Sequence, residues 1–199
     1  MAFAPSSLIL ANNFLPLNEA LCVSGVVVNN LIEDAELAFK LLEYSIRNMC
    51  YAELGKVDAD IFGQDLQLNL DEENVSYSSG EFNDQDNIVR TSQMAVSTAF
   101  GATAICLDCI LEKVDTENNE LKTIKSLISA TRNAFSHGIA APEWFVKPHN
   151  FEVLDLSFVD GIEVSLETLN GLPFDYSQIG GLAVWYRIKS YIISSVSNT

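Results

Sequence analysis

Arg132-Asn133-Ala134-Phe135-Ser136-His137-Gly138 brings a permanent cation, an amide and an imidazole into seven residues. Those types suit the cleavage of phosphodiester bonds in RNA. A neutral histidine can take the proton from a 2′-hydroxyl, or hand one to the leaving oxygen. A guanidinium can hold the phosphate and stabilise the charge building on it. Such a step requires neither a metal nor another cofactor. Lys122 and Lys125 stand upstream, and Lys125 is aligned with Arg132 on a helix, giving a short cationic strip for substrate binding. In Pro142-Glu143-Trp144-Phe145, Glu143 offers a second acid or base and Trp144 a surface on which a base can stack. The alternative is that these aromatics anchor the following crossover to the body of the protein.

Helix geometry constrains this chemistry. Five positions place Arg132 and His137 roughly 140° apart around a regular helix. They share one face only if the helix end tightens, if the cleft is wide, or if a second copy of the chain completes it. Asn133 and His137 are four apart and neighbour each other, so the amide can orient the imidazole. A plainer alternative pairs Arg132 with a surface carboxylate and leaves His137 as a cap at the helix C-terminus, where a cation is favoured.

The elements that must position these groups are mostly helical. Residues 17–54 read as helix, with Leu31, Ala35, Ala38, Leu42, Ile46 and Met49 at helical spacing after a cap at Asn29-Asn30. Residues 21–28 are ambiguous, because Gly25 and three consecutive valines weaken a helix. From Thr91 to Val114 the chain is apolar on all sides, and Asp108 is the only charge between Arg90 and Glu112. That composition predicts the central, most buried helix. The next helix runs from about Glu117 to His137, with Leu121, Ile124, Ile128 and Phe135 as its core stripe and Gly138 as its terminator. A short link makes these two helices antiparallel.

Smaller elements surround them. Residues 57–89 carry nine acidic side chains and no basic one, which reads as a solvated loop or small hairpin (about 64–82) or as a partner-binding surface. A β-hairpin is expected at 151–169, with Asp160-Gly161 in its turn, and a final amphipathic helix at 182–196. The fold class is therefore mainly α, an antiparallel bundle with small β additions, in a single domain over residues 1–199. Cys106-Leu107-Asp108-Cys109 is a lone CxxC without partners for a zinc site, and is expected to pack in the core. His149 is expected in an exposed loop.

Composition limits the function classes. The chain has 27 acidic and 11 basic residues, a formal net charge of -16. Such a field repels phosphate backbones and anionic membranes at long range, so nucleic-acid contact depends on a local cationic pocket. The first basic residue is Lys40, so the charged start of a signal peptide is missing, and the apolar run at 20–28 is too short to span a bilayer. A cytoplasmic protein without a membrane partner is the expectation.

The run Arg132–Gly138 resembles the signature of the HEPN superfamily (higher eukaryotes and prokaryotes nucleotide-binding). That signature is an arginine, usually followed by a polar residue, then a histidine after four to six intervening positions. The resemblance implies a bundle of about four helices with the signature late in the chain. It implies a metal-independent endoribonuclease that spares DNA and leaves 2′,3′-cyclic phosphate ends on RNA. It also implies a homodimer in which both signatures line one cleft. Carried over residue by residue, Arg132 binds and polarises the phosphate, His137 is the acid or base, and Asn133 is the polar helper. Toxin–antitoxin pairs and phage defence are the implied contexts, with an antitoxin protein as a further partner. Some members lack activity, so the alternative is a non-catalytic HEPN-like dimerisation or partner-binding module.

Overall fold

The computed structural model describes residues 24–69, 74–78, 80, 82, 84–114 and 118–197. In chain order the elements are α1 (Ser24–Glu53), the short α2 (Ala59–Phe62), β1 (Leu66–Asn69), β2 (Asn74–Tyr77), α3 (Gln85–Lys113) and α4 (Asn119–Ser136). A 3-10 turn at Pro148–Asn150 leads to β3 (Val153–Asp155), β4 (Glu163–Ser165) and the short α5 (Leu166–Leu169). A second 3-10 turn at Tyr176–Ile179 precedes α6 (Gly181–Ser197). The protein is mainly helical, with two separate antiparallel two-stranded hairpins among the described residues.

α1 is longer than its cap signal predicts. Asn29-Asn30 lies inside the helix, and Gly25 and the three valines that follow are helical too. The physical reason is tertiary: Val28, Leu31 and Ile32 pack against the core, and that burial outweighs weak local propensity. Residues 17–23 of the expected helix lie outside the described residues. Ala35, Ala38 and Leu42 face the core, whereas Leu37, Leu41, Tyr44 and Tyr51 form an exposed apolar stripe on the other side.

α3 is the centre of the bundle. Asp84 caps its first turn by accepting from the Asp86 amide. Ile88, Phe100, Leu107, Ile110 and Leu111 are buried on different sides, and α1, α4 and α6 all pack on it. By length and composition α3 could also cross a bilayer, but more than half of its apolar stretch is covered by the rest of the protein. α4 starts at the Asn118 cap, which accepts from the Glu120 amide at 2.8 Å. Its whole expected stripe, Leu121, Ile124, Ile128 and Phe135, is buried.

α3 and α4 run antiparallel. Gly101 meets Phe135 at one end, and Leu111 meets Lys125 at the other. Gly101 permits the close approach, since a β-carbon there would lie 3.2 Å from the Phe135 ring. α6 closes the bundle with Val184, Trp185, Ile188, Ile192 and Val196 buried. The Trp185 Nε1 donates to Thr103 Oγ1 at 2.9 Å, and its ring lies 4.8 Å from that of Phe100. The Lys189 ammonium reaches Glu36 of α1 at 2.6 Å.

Both hairpins form. In β3–β4, Leu154 pairs with Val164, and both are buried. Its connection is longer than a two-residue turn. It runs from Leu156 to Ile162, held by the Ser157 amide on the Asp155 carboxylate, with Gly161 at φ 68°. That hydrogen bond holds the Asp155 carboxyl below the usual carboxylate range. β1–β2 pairs Leu68 with Val75 and, among the described residues, adds none to the main core.

Gly101→Leu is expected to wedge α3 from α4 and to cost about 1–3 kcal/mol or more from overpacking. Urea denaturation of the variant checks this, and an unchanged midpoint would contradict the close packing.

Candidate functional site

The signature lies where α4 leaves the bundle. α4 stays regular to Ser136, and His137 caps it at φ -92°, ψ -14°. Gly138 does not take the left-handed conformation of a glycine terminator. It provides space instead, since a β-carbon there would lie 3.2 Å from the Ala141 carbonyl oxygen. The helix end therefore neither tightens nor unwinds to swing His137 toward Arg132.

Arg132 turns inward. Its Nη1 lies 2.5 Å from Oδ2 of Asp108 on α3, and Glu112 Oε1 stands 3.9 Å away. The other Asp108 oxygen accepts from Ser129 Oγ at 2.7 Å. Asp108 is nearly enclosed, with its side chain 3% exposed, while the Arg132 side chain is 36% exposed. The partner of Arg132 is thus a buried carboxylate, with an exposed one behind it. Arg132 Nη2 donates to Asn133 Oδ1 at 3.1 Å. Asn133 therefore braces Arg132, and among the described residues no hydrogen bond joins it to His137. The expectation that the amide orients the imidazole is corrected: the carboxamide oxygen is taken by the nearer guanidinium.

His137 is exposed and stands apart from this network. Its ring meets Phe145 edge-on at 5.1 Å between centroids. His137, Glu143 and Phe145 line a shallow recess of about 300 Å³. An imidazole and a carboxylate are thereby placed at one solvent-open wall, which suits proton transfer.

Trp144 is not a stacking surface. It is 1% exposed, and its Nε1 donates to Gln178 Oε1 at 2.7 Å. The residue beside it, Phe145, is 53% exposed. Residues 143–147 alternate: Trp144 and Val146 point into the core, and Glu143, Phe145 and Lys147 point out. The segment is held extended by the Glu143–Pro173 bridge and by the Val146 amide on Asn170 Oδ1 at 2.9 Å. An extended chain turns alternate side chains to opposite faces, so one aromatic must be buried and its neighbour exposed.

Lys125 has a structural bond as well as a position at the site. Its ammonium donates to the Leu111 carbonyl at 3.1 Å, beside the C-terminal end of α3, where a cation is favoured. It also lines a groove of about 360 Å³ together with Lys122, Lys147, Asn133 and Phe145. His149 is exposed in the 3-10 turn. Cys106 and Cys109 are half-buried thiols, and no three metal-ligating side chains cluster among the described residues.

The structure thus brings Arg132 to Asn133 and sets His137 aside with Glu143 and Phe145. Sequence reasoning missed Asp108, Phe145 and Lys147 as parts of this region. A signal for Asp108 was present, because a lone carboxylate in an all-apolar helix must find a partner on the antiparallel neighbour. Comparison with family models, with curated proteins and with solved structures finds no match to this chain.

The two partners of the ion pair should differ in cost. Arg132→Met strands a buried carboxylate and is expected to lose about 3 kcal/mol or more. Asp108→Asn leaves Arg132 with water and Glu112, for a loss of about 1 kcal/mol. Equal urea midpoints for the two variants would contradict the asymmetry of burial. Burial, then the Asp34 carboxylate, push the Cys106 thiol above its ordinary range. Exposed Cys50 should therefore alkylate before Cys106 when labelled peptides are followed by mass spectrometry.

Proposed function

We propose that this chain is a metal-independent endoribonuclease of HEPN type, a small helical bundle working as a homodimer. The observation that carries the reading is the exposed His137, set beside Glu143 and Phe145 and next to a lysine-lined groove on an otherwise acidic protein. His137 accepts the proton of the ribose 2′-hydroxyl as its oxygen attacks phosphorus. The 5′-oxygen leaves and takes a proton from the imidazolium of the second protomer. The products are a 2′,3′-cyclic phosphate and a 5′-hydroxyl, and the proton count balances. Arg132 serves the phosphate with the part of its guanidinium that faces solvent, and Asn133 and Asp108 hold it in place.

Because Arg132 and His137 face different surroundings within one protomer, the reading requires two copies around a shared cleft. A toxin or phage-defence role, with a protein antitoxin as partner and the cytoplasm as its place, belongs to the same proposal.

One observation favours a second reading, a non-catalytic partner-binding bundle. The Asp108 carboxylate already neutralises Arg132 inside the protein, which weakens its pull on a phosphate. In that reading the signature is a structural ion pair followed by a helix cap.

The two readings diverge in one assay. Wild-type protein in EDTA should cut RNA to 2′,3′-cyclic phosphate ends and leave DNA intact. His137→Ala should cut roughly 10²–10⁴-fold more slowly while melting at an unchanged temperature, since the side chain is exposed. Intact RNA under these conditions, or full activity in the variant, would leave the binding-module reading.

A further inference from the structure

The groove beside the signature has a character of its own. Three of the chain's seven lysines, Lys122, Lys125 and Lys147, line it, although the whole chain has a net charge of -16. Glu152 is the single carboxylate in its wall. Among the described residues, Lys122 and Lys147 form no ion pair, as is also true of Lys40, Lys56, Arg90 and Lys113, but only these two stand with Lys125 around one groove. Three lysines around one concavity raise the local concentration of anions there. Other donors are added to the ammonium groups. The Asn133 carboxamide oxygen is held by Arg132, which leaves the NH2 edge of the amide for a ligand. The Ser126 hydroxyl lines the same wall.

Phe145 gives the groove a second property. It lines both this groove and the recess that holds His137, so it is the partition between cations and imidazole. Its ring is more than half exposed, and the buried Trp144 and Val146 on either side fix its direction. An exposed aromatic next to a cationic track matches the chemistry of an unpaired nucleotide, with the base on the ring and phosphates on the ammonium groups. A paired base cannot offer its face to such a ring.

We propose that the groove is a binding site for single-stranded RNA. In it Lys122, Lys125 and Lys147 take consecutive phosphates and Phe145 stacks one base. The choice of RNA over DNA and the identity of the cut bond, across Phe145 at His137, rest on the nuclease reading; binding of an unpaired strand in the groove does not. Selectivity for unpaired over duplex RNA follows from the stacking position.

The test uses a fluorescein-labelled 12-nucleotide RNA carrying 2′-O-methyl groups, which cannot be cut, and the same strand annealed to its complement. Anisotropy titrations of the full chain over a series of salt concentrations should show tighter binding of the single strand than of the duplex. Lys122→Glu/Lys147→Glu should weaken that binding at least tenfold. It should also flatten the slope of log K against log salt by roughly 0.7 for each phosphate no longer neutralised. Phe145→Ala should weaken the single strand by roughly five- to hundredfold and the duplex little. These side chains are exposed, so melting temperatures should be unchanged. Equal affinity for single strand and duplex, or wild-type affinity in the double charge reversal, would overturn the site. The two proposals fail separately. Groove-dependent binding with intact RNA in EDTA keeps the groove and removes the nuclease. Cleavage with unchanged KM in Lys122→Glu/Lys147→Glu keeps the nuclease and removes the groove.

Discussion

The bundle depends on how it accommodates one buried charge. α3 is covered by α1, α4 and α6, and Asp108 sits in its enclosed stretch. A lone carboxylate taken out of water is too costly to leave unpaired. Ser129 and Arg132, one turn apart on α4, each bind one of its oxygens. Lys125, a further turn back, binds the last turn of α3 through the Leu111 carbonyl. These contacts lie in a line along the antiparallel pair, and a shift of α4 by one turn would break them together. Apolar packing alone tolerates such shifts better, because it is not directional. The ion pair therefore selects one register, and the close fit of Gly101 to Phe135 is compatible with that register only.

That solution has consequences for the surface. Arg132 gives part of its charge to the interior, and Asn133 is drawn to it rather than to His137. The imidazole is left at the helix end with Phe145 and Glu143. Beside them lies the lysine-lined groove. On a protein of net charge -16, this groove gathers three lysines and a single carboxylate. Long-range repulsion and short-range attraction would make any anionic ligand depend on ionic strength in two opposing ways.

The segment after α4 is positioned by aromatic packing. Phe100 contacts Phe135, Phe174, Tyr176 and Trp185, so one ring ties α3 to α4, to the second 3-10 turn and to α6. Trp144 joins this cluster through Phe174 and through Gln178, which also closes the capping box of that turn with Asp175. A buried Trp144 holds the strand-like segment in place and aims Phe145 outward. The site's exposed aromatic is thus set by a residue that never reaches solvent.

Much of this was legible in the sequence, and for identifiable reasons. Leu121, Ile124, Ile128 and Phe135 mark α4 because burial on one face imposes helical periodicity. The scarcity of charge between Arg90 and Glu112, where Asp108 is the one exception, marks α3 as central, because a helix covered on all sides has no polar face. Alternation marks β3 and β4. Local signals misled where tertiary contacts outweighed them, as at Asn29-Asn30, which α1 passes through because Val28 and Leu31 reach the core. The sequence by itself determined the helical elements, the burial of α3 and the presence of Arg, Asn and His at one helix end. Only the tertiary structure decided that Arg132 faces Asp108, that Asn133 faces Arg132, and that Phe145 rather than Trp144 is exposed. Periodicity specifies which face of an element is buried, whereas the partner of a charge depends on what another element brings to that face.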